Sequence, residues 1–403
     1  DVGPGVGPLG LVLATPAACG ALDGALAGAD APDGPVAVLG DVGARLVGLF
    51  AAAAAKEIEG TSALRVGEET EEPEEERRDN GGILGVATVG KLLLTGRILG
   101  ISGALKGAVE NGDLSPWRLS FLGGLVAAGV LDGVWDPNQI AEPGVSLAKT
   151  VIAGLLVGAG SGMGNGCTSG HGICGNSRLS PRSMAYTGIF MASGFLCATV
   201  FYTNRELGID SNFSAINNMV TPAAETLTGW LSIAGAAAAA FLGIGSVAAV
   251  ASKKNDGDRT KFHKLLDTVA EALAGFTFGL GLTVSGMRRA AKVSGFLSAT
   301  RASFDPSLML VMGGAMALAV PGFAIASKKK APACTKEFSI PKNRKIDDRL
   351  MLGGVLFGFG WGLAGLCPGP AIVSMAARPT QKLGAWIASV LGGMVIQKFN
   401  PSP

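Results

Sequence analysis

Charge is scarce in this sequence. Asp, Glu, Lys and Arg together make up 16% of its 403 residues, against about 25% in an average soluble domain. Histidine occurs twice, tyrosine twice, and aromatic residues amount to 6%. With 48% of residues hydrophobic and a mean hydropathy of +0.41, such a chain cannot hide its apolar side chains in one soluble core. The formal net charge of +2 gives no sign of a nucleic-acid partner, and none is expected. Six cysteines, at 19, 167, 174, 197, 334 and 367, are too few and too apolar in setting for an extracellular disulfide framework, so reduced thiols are expected.

Glycine and long apolar runs are plentiful. Gly fills 62 positions, and glycine at this density lets helices approach closely in lipid and break where a site is needed. Several runs reach the roughly 20 residues that cross a bilayer. The expectation is an all-α polytopic membrane protein with the lipid bilayer as its surroundings. Nine apolar segments stand near 83–98, 119–135, 146–163, 184–201, 229–251, 265–284, 307–327, 350–366 and 383–396.

Residues 1–80 lie apart as an N-terminal extension. The chain begins at Asp1 rather than Met, as a fragment or a processed chain does, and lacks the basic start of a signal peptide. Residues 1–40 are rich in Gly, Ala and Pro, and 36–55 are apolar enough for a further membrane segment. The acidic stretch "EETEEPEEERRD", 68–79, reads as a solvated disordered linker or as an interaction tail.

Basic residues suggest orientation. Loop 252–264 carries Lys253, Lys254, Arg259, Lys261 and Lys264, and loop 328–349 carries eight Lys and Arg, whereas 136–145 has none. On a nine-segment count both basic loops share a side with the C-terminus, which is expected to be cytoplasmic, and Cys334, in the second of these loops, is expected to be exposed.

Similar pieces occur twice. "VGAGSGMGNGC", 157–167, matches "FGFGWGLAGLC", 357–367, at an offset of 200, bringing Cys167 onto Cys367. "GRILGISG", 96–103, matches "GLGLTVSG", 279–286, bringing Ser102 onto Ser285. The expected organisation is a first membrane repeat at 81–204, a connecting region at 205–262 holding the long helix 229–251, and a second repeat at 263–398. Five segments separate the matched cysteines, an odd number, so the halves should run inverted through the membrane.

The two cysteine stretches carry the chemistry. In "GNGCTSGHGICG" glycines free the backbone, and Asn165, Gly166, Thr168, Ser169, His171 and Cys174 surround Cys167 with polar groups. In "GLCPGP", Gly365, Cys367 and Pro368 make the chain leave its helix. Non-helical backbone at membrane depth is tolerated only against protein or a cavity, so each half is expected to present a thiol on a Gly/Cys-rich re-entrant loop. Other readings of the same residues stay open. Cysteines can act as small packing residues, and Cys167, His171 and Cys174 also have a spacing open to soft metal ligation. No metal and no cofactor is expected, and no catalytic residue is assigned. Arg178, Arg182, Arg288 and Arg378 follow the glycine-rich pieces, as snorkelling side chains or as anion attractors at a cavity mouth.

Five of these pieces, "GRILGISGALKG", "GNGCTSGHGICGNSRLSPRS", "GLGLTVSGMRRAAKVSGFL", "DPSLMLVMGGA" and "GLAGLCPGPA", resemble in order the YeeE/YedE family of sulfur-transport membrane proteins over residues 83–397. The resemblance implies import of a small sulfur-containing anion such as thiosulfate, not an enzyme. It implies two inverted halves, and a relay role for Cys167 and Cys367. Ser102, Ser285 and the polar loop residues would line the pathway, and a cytoplasmic sulfur carrier is an implied partner. Some family members carry a further cysteine where this chain has Ser102. A membrane sulfurtransferase forming a cysteine persulfide is the rival reading, and it needs a reactive thiolate.

Overall fold

A computed structural model describes residues 81–135, 144–201, 224–251, 258–298 and 304–397. The N-terminal extension and residues 202–223, which hold the first part of the expected connecting region, lie outside the described residues. Everything described belongs to the unit spanning 70–403.

The described chain is helical. Its elements are α1 (Gly82–Thr95), α2 (Ile101–Asn111), α3 (Pro116–Trp135), α4 (Leu147–Gly164), a π-helix (Thr168–Gly175), α5 (Pro181–Val200), α6 (Ala224–Ala251), α7 (Asp258–Val284), α8 (Ala290–Phe296), α9 (Ser307–Lys328), α10 (Asp348–Ala364), α11 (Pro368–Ala377) and α12 (Gln381–Ile396). Among the described residues, extended pairing is limited to one bridge, Arg97 with Ser339. Seven stretches are long and apolar enough to cross a membrane, and α1 and α12 are shorter apolar helices. One of the seven, Asp348–Ala377, takes in both α10 and α11. Large apolar side chains point outward along these helices, Val134 76% exposed and Leu242 72% exposed. That surface suits hydrocarbon rather than water.

Local sequence explains the helix ends. Ser146 and Asp347 begin α4 and α10 by accepting the N–H of Lys149 and Leu350 through their side chains, each cap worth roughly 1 kcal/mol. Pro181 and Pro368 sit in the first turn of α5 and α11, where a missing N–H costs nothing. The first segment, expected to reach 98, stops at Thr95 because Gly96 turns left-handed at φ 73°. Residues 258–264, expected in a loop, form the first turns of α7. Pro321 sits inside α9 without ending it, as membrane helices tolerate.

The same order of elements, long, short, long, long, short, long, runs from α1 to α5 and again from α7 to α12, with α6 between. Packing follows that order. The contact of α3 with α7 is answered by α9 with α1, and α4 with α12 by α10 with α5. Likewise α3 with α11 is answered by α9 with the π-helix, while α1–α7 and α4–α10 each join equivalent helices. At the α4–α10 crossing a Cβ on Gly160 would stand 2.4 Å from the Phe357 nitrogen, and one on Gly360 would stand 2.6 Å from the Ala153 oxygen. Glycine there is what allows the two backbones to meet.

The basic segment 329–347 folds back on the helix ends. Ala333 and Cys334 donate their N–H groups to Leu93 and Leu94, Ser339 donates to Gly96, and Arg178 and Arg182 donate to the carbonyls of Pro341 and Lys345. Cys334, expected to be exposed, is therefore buried at 5% exposure. The loop's basic character hid this, because backbone hydrogen bonds and the Thr335 hydroxyl, which donates to the Thr95 carbonyl at 3.0 Å, carry the docking rather than its basic side chains.

Candidate functional site

Both broken helices end in the same way. α4 stops at Asn165 with φ 58° and α10 at Gly365 with φ 66°, each in the left-handed region. Two residues on, Cys167 and Cys367 stand extended as the N-caps of the π-helix and α11. The stop after α4 is reinforced by Lys106 of α2, whose ammonium donates to the Gly162 carbonyl at 2.7 Å and to Asn165 Oδ1 at 2.5 Å. A cation at a helix C-terminus meets its partial negative charge. At Gly365 a Cβ would lie 2.4 Å from the Ala290 oxygen, so both the positive φ and the closeness require glycine.

The stretch after Cys167, read from its glycines as irregular, is a π-helix. Its wider turn is held by His171, whose Nε2–H donates to the Gly164 carbonyl at 3.1 Å while Nδ1 accepts from Ser183 Oγ at 3.0 Å. The imidazole also packs on the Tyr186 ring at 4.4 Å between centroids. Gly166 leaves room for this ring, since a Cβ there would meet it at 2.5 Å. Cys174 donates its thiol to the Leu99 carbonyl at 3.2 Å. His171 and Cys174 are thus engaged by the fold and do not converge with Cys167. Among the described residues no three His, Cys, Asp or Glu side chains gather as metal ligands would.

Cys167 and Cys367 do come together. They line one cavity of about 30 Å³, with Thr168, Ser169, Pro368 and Trp361. That volume admits a water or two. Thr168 Oγ1 donates to Cys367 Sγ at 3.6 Å, joining the two halves, and Cys167 Sγ exchanges a hydrogen bond with Ser169 Oγ at 3.3 Å. The rest of the wall is apolar, including Leu84 of α1 and Phe278 and Leu282 of α7. Trp361 was missed from the sequence, although it is the one tryptophan in the glycine run "FGFGWGLAG". Its indole Nε1 is buried without a conventional acceptor, and the Cys367 thiol is its neighbour.

The remaining sequence candidates lie elsewhere. Ser102 and Ser285 are buried outside the cavity wall, the first with an unpartnered hydroxyl and the second bonded to the Leu282 carbonyl at 3.3 Å. Arg178 lines a separate recess of about 500 Å³ together with Lys342 and Arg344, beside the apolar Val320 and Phe323. Arg182 is buried at 8% exposure and lies 3.6 Å from Asp347. Arg288 is buried against Asp132, which meets its charge inside the fold. Arg378 is exposed at the end of α11. Cys197 packs in the interior and donates to the Phe359 carbonyl at 3.2 Å.

A family described as a family of unknown function (DUF6691) matches residues 266–401, the part that holds α9 to α12 and Cys367. A probable transporter of Xylella fastidiosa strain Temecula1 is 38% identical over 135 residues, 34% of this chain and 90% of its own length. A probable transporter of strain 9a5c is 42% identical over 134 residues, 33% of this chain and 91% of its own. A second from strain Temecula1 is 47% identical over 124 residues, 30% of this chain and 89% of its own. Each relative therefore corresponds over most of its length to about a third of this chain, and the chain belongs to the family of these probable transporters.

Proposed function

We propose that the protein is a membrane transporter that takes up a small sulfur-containing anion, thiosulfate or a close analogue, in the manner of the YeeE/YedE proteins it resembles. The observation that carries the reading is the meeting of Cys167 and Cys367. They stand 200 positions apart in the chain, at equivalent breaks in two helices, and open on one buried cavity. Thiols are weak donors, and weak donors suit conduction, where an ion must leave as readily as it enters. The Trp361 indole N–H adds a donor without adding charge. His171, held on both nitrogens by Ser183 and Gly164, is no base for Cys167, which favours a relay over a persulfide mechanism.

The arrangement is an inverted repeat in which each half supplies one cysteine loop. Nine crossings put the basic segment 329–347, the end of α1, the start of α5 and the end of α12 on one face. Hydrogen bonds of Ser339 with Gly96, Arg178 with Pro341 and Arg349 with Gln397 agree with that count. By the distribution of basic residues this face is cytoplasmic. Arg178 draws the anion toward that face, where a soluble sulfur carrier would collect it. The present cavity is too small for thiosulfate, so transport needs an opening motion that parts the two loops.

Uptake of radiolabelled thiosulfate, sulfite and sulfate by vesicles containing the purified protein tests the reading. Saturable uptake of thiosulfate, competed by unlabelled thiosulfate, is the expected result. Absence of uptake of every sulfur anion would overturn it.

A further inference from the structure

A second polar constellation lies inside the helices, away from the cysteines. Lys91 of α1 and Glu271 of α7 form an ion pair with side chains 2% and 0% exposed. The other Glu271 oxygen takes Arg97 at 3.0 Å, and Arg97 also reaches Asp267 at 2.7 Å. The ammonium of Lys91 sits 3.7 Å above the Phe121 ring, and the Arg97 guanidinium lies 4.8 Å from the Trp117 ring. Taking charges out of water is costly, so ionisable groups inside a membrane protein mark function more often than support.

Three features set this cluster apart from a simple staple between α1 and α7. First, it holds two cations and two carboxylates, so its charge sums to zero, and one added proton takes it to +1. Second, it has one open end: Arg97 is 23% and Asp267 14% exposed, while Glu271 is sealed. Third, it is aligned with the central cavity. Lys91 lies seven residues after Leu84 and Glu271 seven before Phe278, both of which line that cavity. Seven residues are about two helical turns, which returns to the same face roughly 10 Å along the axis. Facing the pair are Arg97 from the segment after α1, Asp267 from α7, the uncharged Trp117 and Phe121 from α3, and the thiol of Cys174, with Cys334 near Asp267. The described part of α6 beyond Gly229 and the whole of α11 bring no charged residue.

We propose that Glu271 is a proton-binding site coupled to anion occupancy of the central cavity, so that the anion and a proton move together. The proposal rests on the transport reading above. A hydronium ion from the Asp267 end gives its proton to a Glu271 oxygen and leaves as water; one O–H bond forms, one breaks, and no electron changes hands. Lys91 and Arg97 are then incompletely matched, and their positive charge favours an anion in the cavity two turns away. By linkage the anion raises the proton affinity of Glu271 by the same factor.

The test uses vesicles containing the full chain, thiosulfate as the probe, an imposed pH gradient, and a membrane potential clamped with potassium and valinomycin. With one proton per ion, one pH unit drives about tenfold accumulation in the wild type. The double variant Lys91→Met/Glu271→Met keeps the volumes and removes the pair, which buried pairs commonly survive. It should still exchange thiosulfate across the membrane and gain nothing from the gradient. A wild type indifferent to the gradient, or a double variant that responds like the wild type, overturns the proposal. A substrate-free arm separates this from failure of the transport reading. Infrared spectra of the purified protein, recorded across a pH titration, should show the carbonyl band of a protonated carboxylic acid that is missing in Glu271→Gln. That band supports the proton site even if no sulfur anion moves, and its absence from the wild type sinks it.

Discussion

At the scale of single residues, the Cys167 and Cys367 thiols line one cavity, and each has a hydroxyl neighbour, Ser169 at 3.3 Å and Thr168 at 3.6 Å. Cys167 and Cys367 declared themselves because the same residues flank both. His171 and Cys174, polar and in the same motif, turned out to hold the π-helix rather than face the cavity, because hydrogen bonds to Gly164, Ser183 and Leu99 claim them. Lys91 was visible as a lone charge in "GVATVGKLLLTG", but its partner stands 180 residues away, and no local pattern reports such a distance. Cys334 shows the reverse error, a buried thiol in a loop full of lysines. Burial pushes this thiol up from 9.0 to about 12. Its neutral form is the one that fits, so docking of segment 329–347 should be indifferent to pH up to about 9. Above that the unfolded thiol loses its proton first, and docking should weaken progressively toward pH 12. Maleimide labelling of Cys334 near pH 7.5 should be far slower than that of a free thiol, and Lys336→Cys on the exposed side should label at an ordinary rate. Equal rates at the two positions would show that the loop does not dock.

At the scale of elements, the nine apolar segments read from the sequence all fall on helices, because length and hydropathy alone decide that. The short helices α2 and α8 and the π-helix did not show themselves. α8 has seven residues and the π-helix eight, too few for a period to emerge from glycine-rich surroundings. Helix packing was legible only as an excess of glycine, without saying which glycines matter. The structure separates them. Gly160 meets backbone atoms of α10, whereas Gly188 of α5 has nothing within 4 Å of where a Cβ would stand. Gly160→Val should therefore cost on the order of 1–3 kcal/mol through forced separation of α4 and α10. Gly188→Ala should be neutral or stabilising by up to roughly 1 kcal/mol. Melting temperatures of the two variants in detergent, followed by size-exclusion fluorescence, check the contrast. A harmless Gly160→Val would mean that the crossing is looser than described.

At the scale of the whole molecule, the described helices run through one order of elements twice, and contacts made by α1 to α5 are answered by contacts of α7 to α12. At the sequence offset of 200 the left-handed caps Asn165 of α4 and Gly365 of α10 occupy matching positions. The buried charges lack such a counterpart: at the offset of 183 that brings 96–103 onto 279–286, Lys91 falls on Ala274. On the proposed nine crossings an odd number separates the halves, which yields a direct expectation. Cysteine tags at Gly144, between α3 and α4, and at Lys342, in the basic segment, should be modified by an impermeant reagent from opposite sides of the membrane. Labelling of both from one side would remove the inverted arrangement.

The measurement that reaches the central claim, that Cys167 and Cys367 pass a sulfur anion along as neutral donors, is thiosulfate uptake by vesicles carrying Cys167→Ser, Cys167→Ala, Cys367→Ser or Cys367→Ala, with intact-mass analysis of the wild type. Serine keeps a hydroxyl donor, and alanine keeps none. Losing a hydrogen bond to a charged group is worth roughly 1.5–3 kcal/mol, about one to two decades in binding. The account predicts partial uptake in each serine variant, lower uptake in each alanine variant, and no added mass on the wild type after substrate is washed away. Serine and alanine variants equally dead, with one sulfur atom retained on the wild-type protein, would contradict it.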